Sequence, residues 1–291
     1  SAMRAVHGYT GALPGIREMV TEPVSWYYPA RAAALALCAA NSGVSLVFST
    51  HSPAIDHLVA SSVSRKTGLP WVAEFRDPWS GNSYWHQLSQ LAPAARFLER
   101  RALHGADVLV GVSAPIARYL GELHGKTTVC IPSGFDWEGH PESVPLTEDF
   151  TLTYTGHIYP GRRDPSELFK ALVLLRHESP QLLERFQCRF VGGNSRGILA
   201  PLVHALDLDD VVSFLPQVSR DESRKLQSES TALLLLNWND PRDEGTYSGK
   251  LFEYLGARRP ILAVSTYVHG SAAKLIRQSG CGVVANDAED I

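Results

Sequence analysis

The chain has 291 residues, 44% of them hydrophobic and 20% charged, which is the composition of a globular protein of about two domains. Its 23 glycines and 18 prolines are too few for a collagen or a disordered tract, and its longest apolar run, Ala32 to Ala40, is about half of a membrane span. A net charge of −3 gives no general attraction to nucleic acid or anionic lipid, so any phosphate recognition must be local.

The first forty residues offer no convincing strand. Gly8, Gly11 and Gly15 lack the preceding strand that a phosphate-binding glycine loop needs. Trp26-Tyr27-Tyr28-Pro29 reads as a turn leading into a packed helix over Ala30–Ala40. Short apolar runs follow, at Val44–Ser49, Trp71–Phe75, Val108–Val112 and Thr128–Ile131, and then at Phe150–Thr155, Cys188–Gly192, Val211–Leu215, Ala232–Asn237, Pro260–Val264 and Gly282–Ala285. Runs of this length, apolar without clean alternation, suit strands buried on both faces. Helical stretches lie among them at Ile55–Thr67, Leu91–His104, Pro165–Glu178, Arg220–Ser228 and Lys250–Ala257. The alternation predicts an α/β protein of parallel sheets covered by helices.

The segment 138–145 is polar, holds two prolines and has no periodicity, a linker composition. It divides the chain into two Rossmann-like lobes, 1–140 and 146–291, whose strand ends are expected to face a central cleft. Cys38, Cys130 and Cys188 sit among apolar neighbours or in a candidate strand, as small buried hydrophobes do. No pair is spaced for zinc or a disulfide framework. With no secretion signal visible, and Ser1-Ala2 reading as a vector remnant before Met3, a cytoplasmic location is expected.

Chemistry-bearing residues gather after two strands of the second lobe. Arg162 and Arg163 lie on a glycine-containing loop between the run ending at Thr155 and a helix start, where guanidinium forks and free backbone N–H groups suit phosphate. Ser248, Gly249 and Lys250 open another helix, and Glu253 falls on the same face as Lys250, placed to accept hydrogen bonds from a diol such as ribose. Read alone, Lys250 and Glu253 fit a surface i,i+3 pair equally well. In the first lobe, Asp77 follows the run Trp71–Phe75, with a turn cap ahead of Pro78 as the alternative. His51 and His57 flank the loop after Val44–Ser49, as site or packing residues. Ser113 reads as a helix N-cap. Asp207-Leu208-Asp209 precedes a strand rather than following one and reads as a solvated turn.

The segments "YTGHIYPGRRDP", "GGN", "VVSFLPQVSRDE" and "EGTYSGKLFEYLGARRPILAV" resemble the donor-binding half of the retaining glycosyltransferases of GT-B fold, family 4 (glycosyl transferases group 1). In the first half "STHSPAIDHLVASSVSRKTGLPWVAEFRDPW", "ADVLVGVSAPIARYL" and "VCIPSGFD" resemble the later part of the acceptor lobe, so the N-terminal lobe reads as incomplete. The resemblance covers residues 45 to 287. It implies transfer of a sugar from a nucleotide-diphosphate sugar to an acceptor hydroxyl, with retention and without metal or other cofactor. The acceptor would be a carbohydrate, a lipid-linked sugar or a small molecule, as in polysaccharide or natural-product glycosylation. Nucleic acid and a transmembrane segment are not expected; peripheral membrane contact is compatible.

By the same resemblance Arg162, Arg163 and Lys250 neutralise the donor diphosphate, Glu253 binds ribose, and Gly156 lets the phosphates approach. Gln217 and Val218 lie toward the base, and Gly245, Thr246, Ser248, Gly249 and Leu251 belong to the same donor loop. Asp77, His57 and Glu244 are the catalytic candidates, although eight residues separate Glu244 from Glu253 where the family motif has seven. Ser133 stands where the family has Asn. A nucleotide-sugar epimerase or hydrolase of the same architecture, and a non-catalytic nucleotide-sugar-binding protein, are the alternatives.

Overall fold

A computed structural model describes residues 24–82, 92–135 and 144–291. The glycines at 8, 11 and 15 and most of the linker segment fall outside them. The chain forms two compact units, Ser1–Pro132 and Ser133–Ile291.

In the first unit, helix α1 (Val24–Ala40) leads to β1 (Val47–His51), α2 (Ile55–Thr67), β2 (Trp71–Phe75), α3 (Ala92–Ala102), β3 (Val108–Gly111), α4 (Ala114–His124) and β4 (Thr128–Cys130). The sequence predicts a turn at 26–29, but the helix begins at Val24 and runs through Pro29. So near its start a missing N–H and the ring clash disturb only the first turn and a half. The four strands lie parallel in the order β1-β2-β3-β4. Trp71, Ala73 and Phe75 point to one face and are fully buried with Leu103, Leu109 and Leu120. Between them Val72 and Glu74 are half-buried, so β2 alternates where burial on both faces was expected. Ser113 caps α4, its hydroxyl accepting from the Ile116 N–H at 3.4 Å, and Gly125 closes the helix in the left-handed region.

The second unit comprises β5 (Phe150–Thr155), α5 (Ser166–Glu178), β6 (Phe186–Val191), α6 (Ser195–Ala205), β7 (Val212–Leu215), α7 (Arg220–Glu229), β8 (Ala232–Leu236), α8 (Gly249–Ala257), β9 (Ile261–Val264), α9 (Ser271–Ser279) and β10 (Gly282–Val284). Its sheet is parallel throughout, in the order β10-β9-β8-β5-β6-β7. The unbroken apolar run of β8 has a direct cause. Leu234 and Leu236 pack with Leu168 and Phe169 of α5 and Leu199 and Val203 of α6, while Leu233 and Leu235 pack with Leu251 and Tyr254 of α8 and Ala272 and Ile276 of α9. Each of these leucines is worth about 1.5–3 kcal/mol of burial, and a polar residue on either face would be costly.

Strand order reverses at β5. The chain leaves it toward β6 and β7 on one side, then returns to its other side with β8. The chain therefore leaves β5 and β8 toward opposite sides of the sheet at their carboxyl ends, the place where open parallel sheets bind ligands in a crevice. Among the cysteines, Cys188 is buried as expected and burial pushes its thiol up. Cys130 is exposed instead, because β4 is an edge strand of three residues with its last two positions open. Among the described residues no helix is long and apolar enough to cross a membrane.

Candidate functional site

At the end of β5 the backbone turns through Gly156 at φ 123°, a conformation that L side chains rarely adopt. The Lys250 side chain from the first turn of α8 lies across this glycine; a methyl group there would sit 2.6 Å from its Nζ. The same ammonium is 5.6 Å from the Tyr154 ring centroid. Burial pushes the Lys250 pKa down to about 8, Arg163 adds to the depression, and Glu253 opposes it. A lysine held so close to its neutral form gains from any anion that reaches it.

The loop after β5 carries the two arginines. Its turn is closed by the Arg162 and Arg163 N–H groups donating to the Tyr159 carbonyl, at 3.0 and 2.9 Å, with Gly161 at φ 74° between. The Arg163 guanidinium lies 4.5 Å over the Tyr159 ring, and that of Arg162 lies 4.5 Å over Trp238, just beyond β8. Asn194, after β6, locks the loop through both ends of its amide. Its Oδ1 accepts from the Ile158 N–H at 3.0 Å and its Nδ2 donates to the Ile158 carbonyl at 2.8 Å.

The sequence reading makes the helix after this loop an anion site. In the structure Asp164 takes that place, its Oδ1 accepting from the Ser166 N–H at 2.9 Å, so the first turn of α5 already holds a carboxylate. The start of α8 differs. Ser248 precedes it with no side-chain capping bond, its buried Oγ has no hydrogen-bond partner, and Gly249 is exposed. The Lys250 ammonium and Gly156 meet beside the start of α8 at a spot suited to anionic oxygen, and Arg163 is near enough for its charge to act on Lys250.

Around this spot the other candidates sort by element. Gln217, after β7, stands against the glycine pair after β6: a methyl on Gly193 would lie 3.3 Å from its Oε1. Val218 is half-buried beside it. Glu253 is exposed on α8 and receives the Gln227 Nε2 at 3.5 Å. Gln227 also donates to Thr155 Oγ1 at 2.9 Å, and Tyr254 Oη accepts from the Thr155 N–H at 3.1 Å. These contacts fix β5 and Glu253 relative to one another. Glu244 is half-buried, and its backbone carbonyl accepts from the Ser271 N–H at 2.7 Å, tying the loop to α9. Gly245 and Thr246 complete the turn, the Thr246 N–H donating to the Asp243 carbonyl at 3.0 Å, and Leu251 is buried in the core beneath.

Two residues here escape the sequence reading, Gln227 and Asp243. Both are polar and nearly inaccessible, at 1% and 6% exposure, and neither stands in a recognisable motif. Burial of a polar group is decided by tertiary packing, which leaves little local signal.

In the first unit, Asp77 follows β2. Burial pushes its carboxyl pKa up, against the opposing fields of His51 and Arg76. His51, at the end of β1, donates from Nδ1 to the Asp77 carbonyl oxygen at 3.1 Å and stacks on Trp79 with centroids 6.2 Å apart. His57 is placed differently: it is 0% exposed, with Nδ1 2.8 Å from Ser49 Oγ, which also accepts from the Trp71 indole N–H at 2.8 Å. Burial first, then His51, lowers its pKa to about 3, so it is neutral at physiological pH. Of the two imidazoles, His51 is the one that touches the Asp77 segment. Asp207 and Asp209 stay on the turn before β7, where Asp209 accepts from His204 at 2.9 Å. Among the described residues no group of three or more His, Cys, Asp or Glu side chains is placed to hold a metal.

Residues 5–138 match the model of Glycosyltransferase Family 4. In fold the chain is similar to sucrose-phosphate synthase from Thermosynechococcus elongatus, with a TM-score of 0.60 and 16% identity over 91% of this chain and 67% of that one. It is similar also to HepE from Anabaena in complex with UDP, with a TM-score of 0.65 and 14% identity over 90% and 70%. A third likeness is to the apo form of the lipopolysaccharide outer core galactosyltransferase WaaB, with a TM-score of 0.59 and 14% identity over 92% and 70%. At these identities the likeness is one of fold. No curated protein matches the chain by sequence.

Proposed function

We propose that the chain is a GT-B glycosyltransferase of the family 4 kind, a reading that the family match over residues 5–138 and the likeness in fold support, and that it moves a sugar from a nucleotide-diphosphate sugar to an acceptor hydroxyl with retention. One observation carries this reading: a half-buried lysine lies across a glycine at the strand-order reversal, beside Arg163 and an open helix start. Three sources of positive potential at one point fit a diphosphate.

In the proposed transfer the acceptor oxygen bonds to the anomeric carbon on the face from which the carbon–phosphate oxygen bond breaks. The acceptor's proton passes to the departing diphosphate oxygen. Negative charge grows on that oxygen, and Lys250, Arg163 and the α8 N–H groups stabilise it more than they stabilise the bound donor, which is where catalysis comes from. Fixed cations supply this charge, so the transfer is proposed to be metal-independent, with no cofactor beyond the donor. Glu253, steadied by Gln227, accepts from the ribose hydroxyls, and Gln217 with Val218 flanks the base. Glu244 and the Gly245–Gly249 backbone face the sugar. Asp77, its carboxyl raised by burial, receives the acceptor hydroxyl. His57 holds Asp77's surroundings in place through the core. The acceptor is a carbohydrate, a lipid-linked sugar or a small molecule.

The test is product analysis with UDP-, GDP- and dTDP-sugars and a panel of acceptors, with and without chelator. Nucleoside diphosphate release that needs an acceptor, survives chelation and gives a product of unchanged anomeric configuration is expected. Release at the same rate without acceptor would mean hydrolysis or epimerisation, and binding without any release would mean a binding protein.

A further inference from the structure

Asp243 is the carboxylate that the loop after β8 buries. It is 6% exposed and closes a short helical turn, Pro241–Asp243, three residues before Thr246. Its carboxylate accepts from the Thr246 hydroxyl and the Trp238 N–H, and it faces Arg162 and Arg163 of the loop after β5. One oxygen, Oδ1, is buried without a hydrogen-bond partner. The nearest charged groups on its own turn are committed to each other, Arg242 pairing with Asp240 at 2.7 Å. Lys250, the next cation, faces Arg163 and Glu253. So the arginine pair has an internal counter-ion on the far side of the same crevice, and the loops after β5 and β8 are also joined by the Arg162–Trp238 stack.

We infer that Asp243 is a positioning residue for the arginine pair: ionised, it serves as their counter-ion while the donor site is empty, and it takes up a proton from solvent when a diphosphate replaces it. The inference rests on the donor-site reading above. Its chemistry is that of a shared counter-charge. A buried carboxylate that faces two guanidiniums competes with an incoming anion for their field, and burial makes protonation the less costly way to yield. Burial raises the Asp243 pKa to about 6 in spite of the Thr246, Trp238 and arginine contacts, so the proton is within reach at neutral pH. A bound diphosphate raises it further. Donor binding is therefore coupled to proton uptake, and affinity rises as the pH falls.

The experiment is calorimetric titration with UDP-glucose, whose diphosphate diester does not titrate between pH 5.5 and 8, in buffers of different ionisation enthalpy. The wild-type protein is expected to take up protons on binding and to bind about tenfold more tightly at pH 5.5 than at pH 8, the change that follows if binding raises one carboxyl pKa by one unit. Asp243→Asn keeps an acceptor for the loop contacts and is expected to lose the uptake near pH 6, with affinity at pH 7.5 undiminished. Thr246→Val removes a donor to the ionised form and is expected to move the midpoint to higher pH. A pH slope retained between pH 5.5 and 7 in Asp243→Asn, a range in which Lys250 stays charged, or an unmoved midpoint in Thr246→Val, overturns the assignment to Asp243. Failure of the wild type to bind at any pH overturns the donor-site reading, and this inference with it.

Discussion

Lys250 carries an energetic signature of its place in the fold. Its pKa of about 8 lies below the ordinary lysine value of 10.5, so the charged form costs the folded state up to about 3 kcal/mol at neutral pH. Because the folded value is the lower one, that cost is full below pH 8 and fades as the pH rises toward 10.5. Thermal unfolding should show stability increasing across that window, and Lys250→Met should raise stability at pH 7 by about 1–2 kcal/mol and flatten the rise. The same substitution should weaken donor binding at least tenfold, the trade expected where a strained charge serves a ligand. Asp77→Asn gives a complementary prediction: a fall in kcat of about a hundredfold from lost positioning of the acceptor hydroxyl, with donor affinity within twofold of wild type by calorimetry. Arg163, Lys250 and Glu253 were legible because charged residues at strand–helix junctions stand out by position. His51 and His57 look alike on the page, and only packing separates the imidazole beside Asp77 from the one sealed against Trp71.

Elements explain how those residues are held. Gly156 is both a backbone and a space requirement, with φ 123° and the Lys250 side chain where a Cβ would be. Gly156→Ala should therefore cost about 1–3 kcal/mol in stability and displace Lys250 with loss of donor affinity, read from denaturant unfolding and calorimetry on the same samples. Ser113 provides the contrast. As the cap of α4 its replacement by Ala should cost about 1 kcal/mol and leave donor affinity unchanged. Most strands were legible because a doubly covered sheet demands unbroken apolar runs, as β8 illustrates with leucines committed alternately to its two faces. Helix ends were less so. The start of α1 hides behind Pro29, which reads as a breaker but sits close enough to the end to be tolerated. At α5 the sequence "RRDP" shows two cations and one anion, and which of them owns the helix start is a matter of geometry that Asp164 settles.

At the scale of the whole molecule, strand–helix alternation predicts parallel sheets but says nothing of strand order. The return of β8 to the free side of β5 turns two separate loops, far apart in sequence, into the walls of one crevice. It joins Arg162 and Arg163 to Lys250 and Asp243 across some eighty residues of chain, a pairing no local pattern announces. The family resemblance orders the motifs along the chain; the topology brings the loops that carry them side by side. The central claim is that this crevice is the donor site. Calorimetric titration of UDP-glucose into the wild type and into Lys250→Ala and Glu253→Ala, each checked for an unchanged fold by circular dichroism, tests it most directly. Affinity in the wild type that drops at least tenfold in Lys250→Ala and severalfold in Glu253→Ala is the predicted result; wild-type affinity in both variants would contradict it.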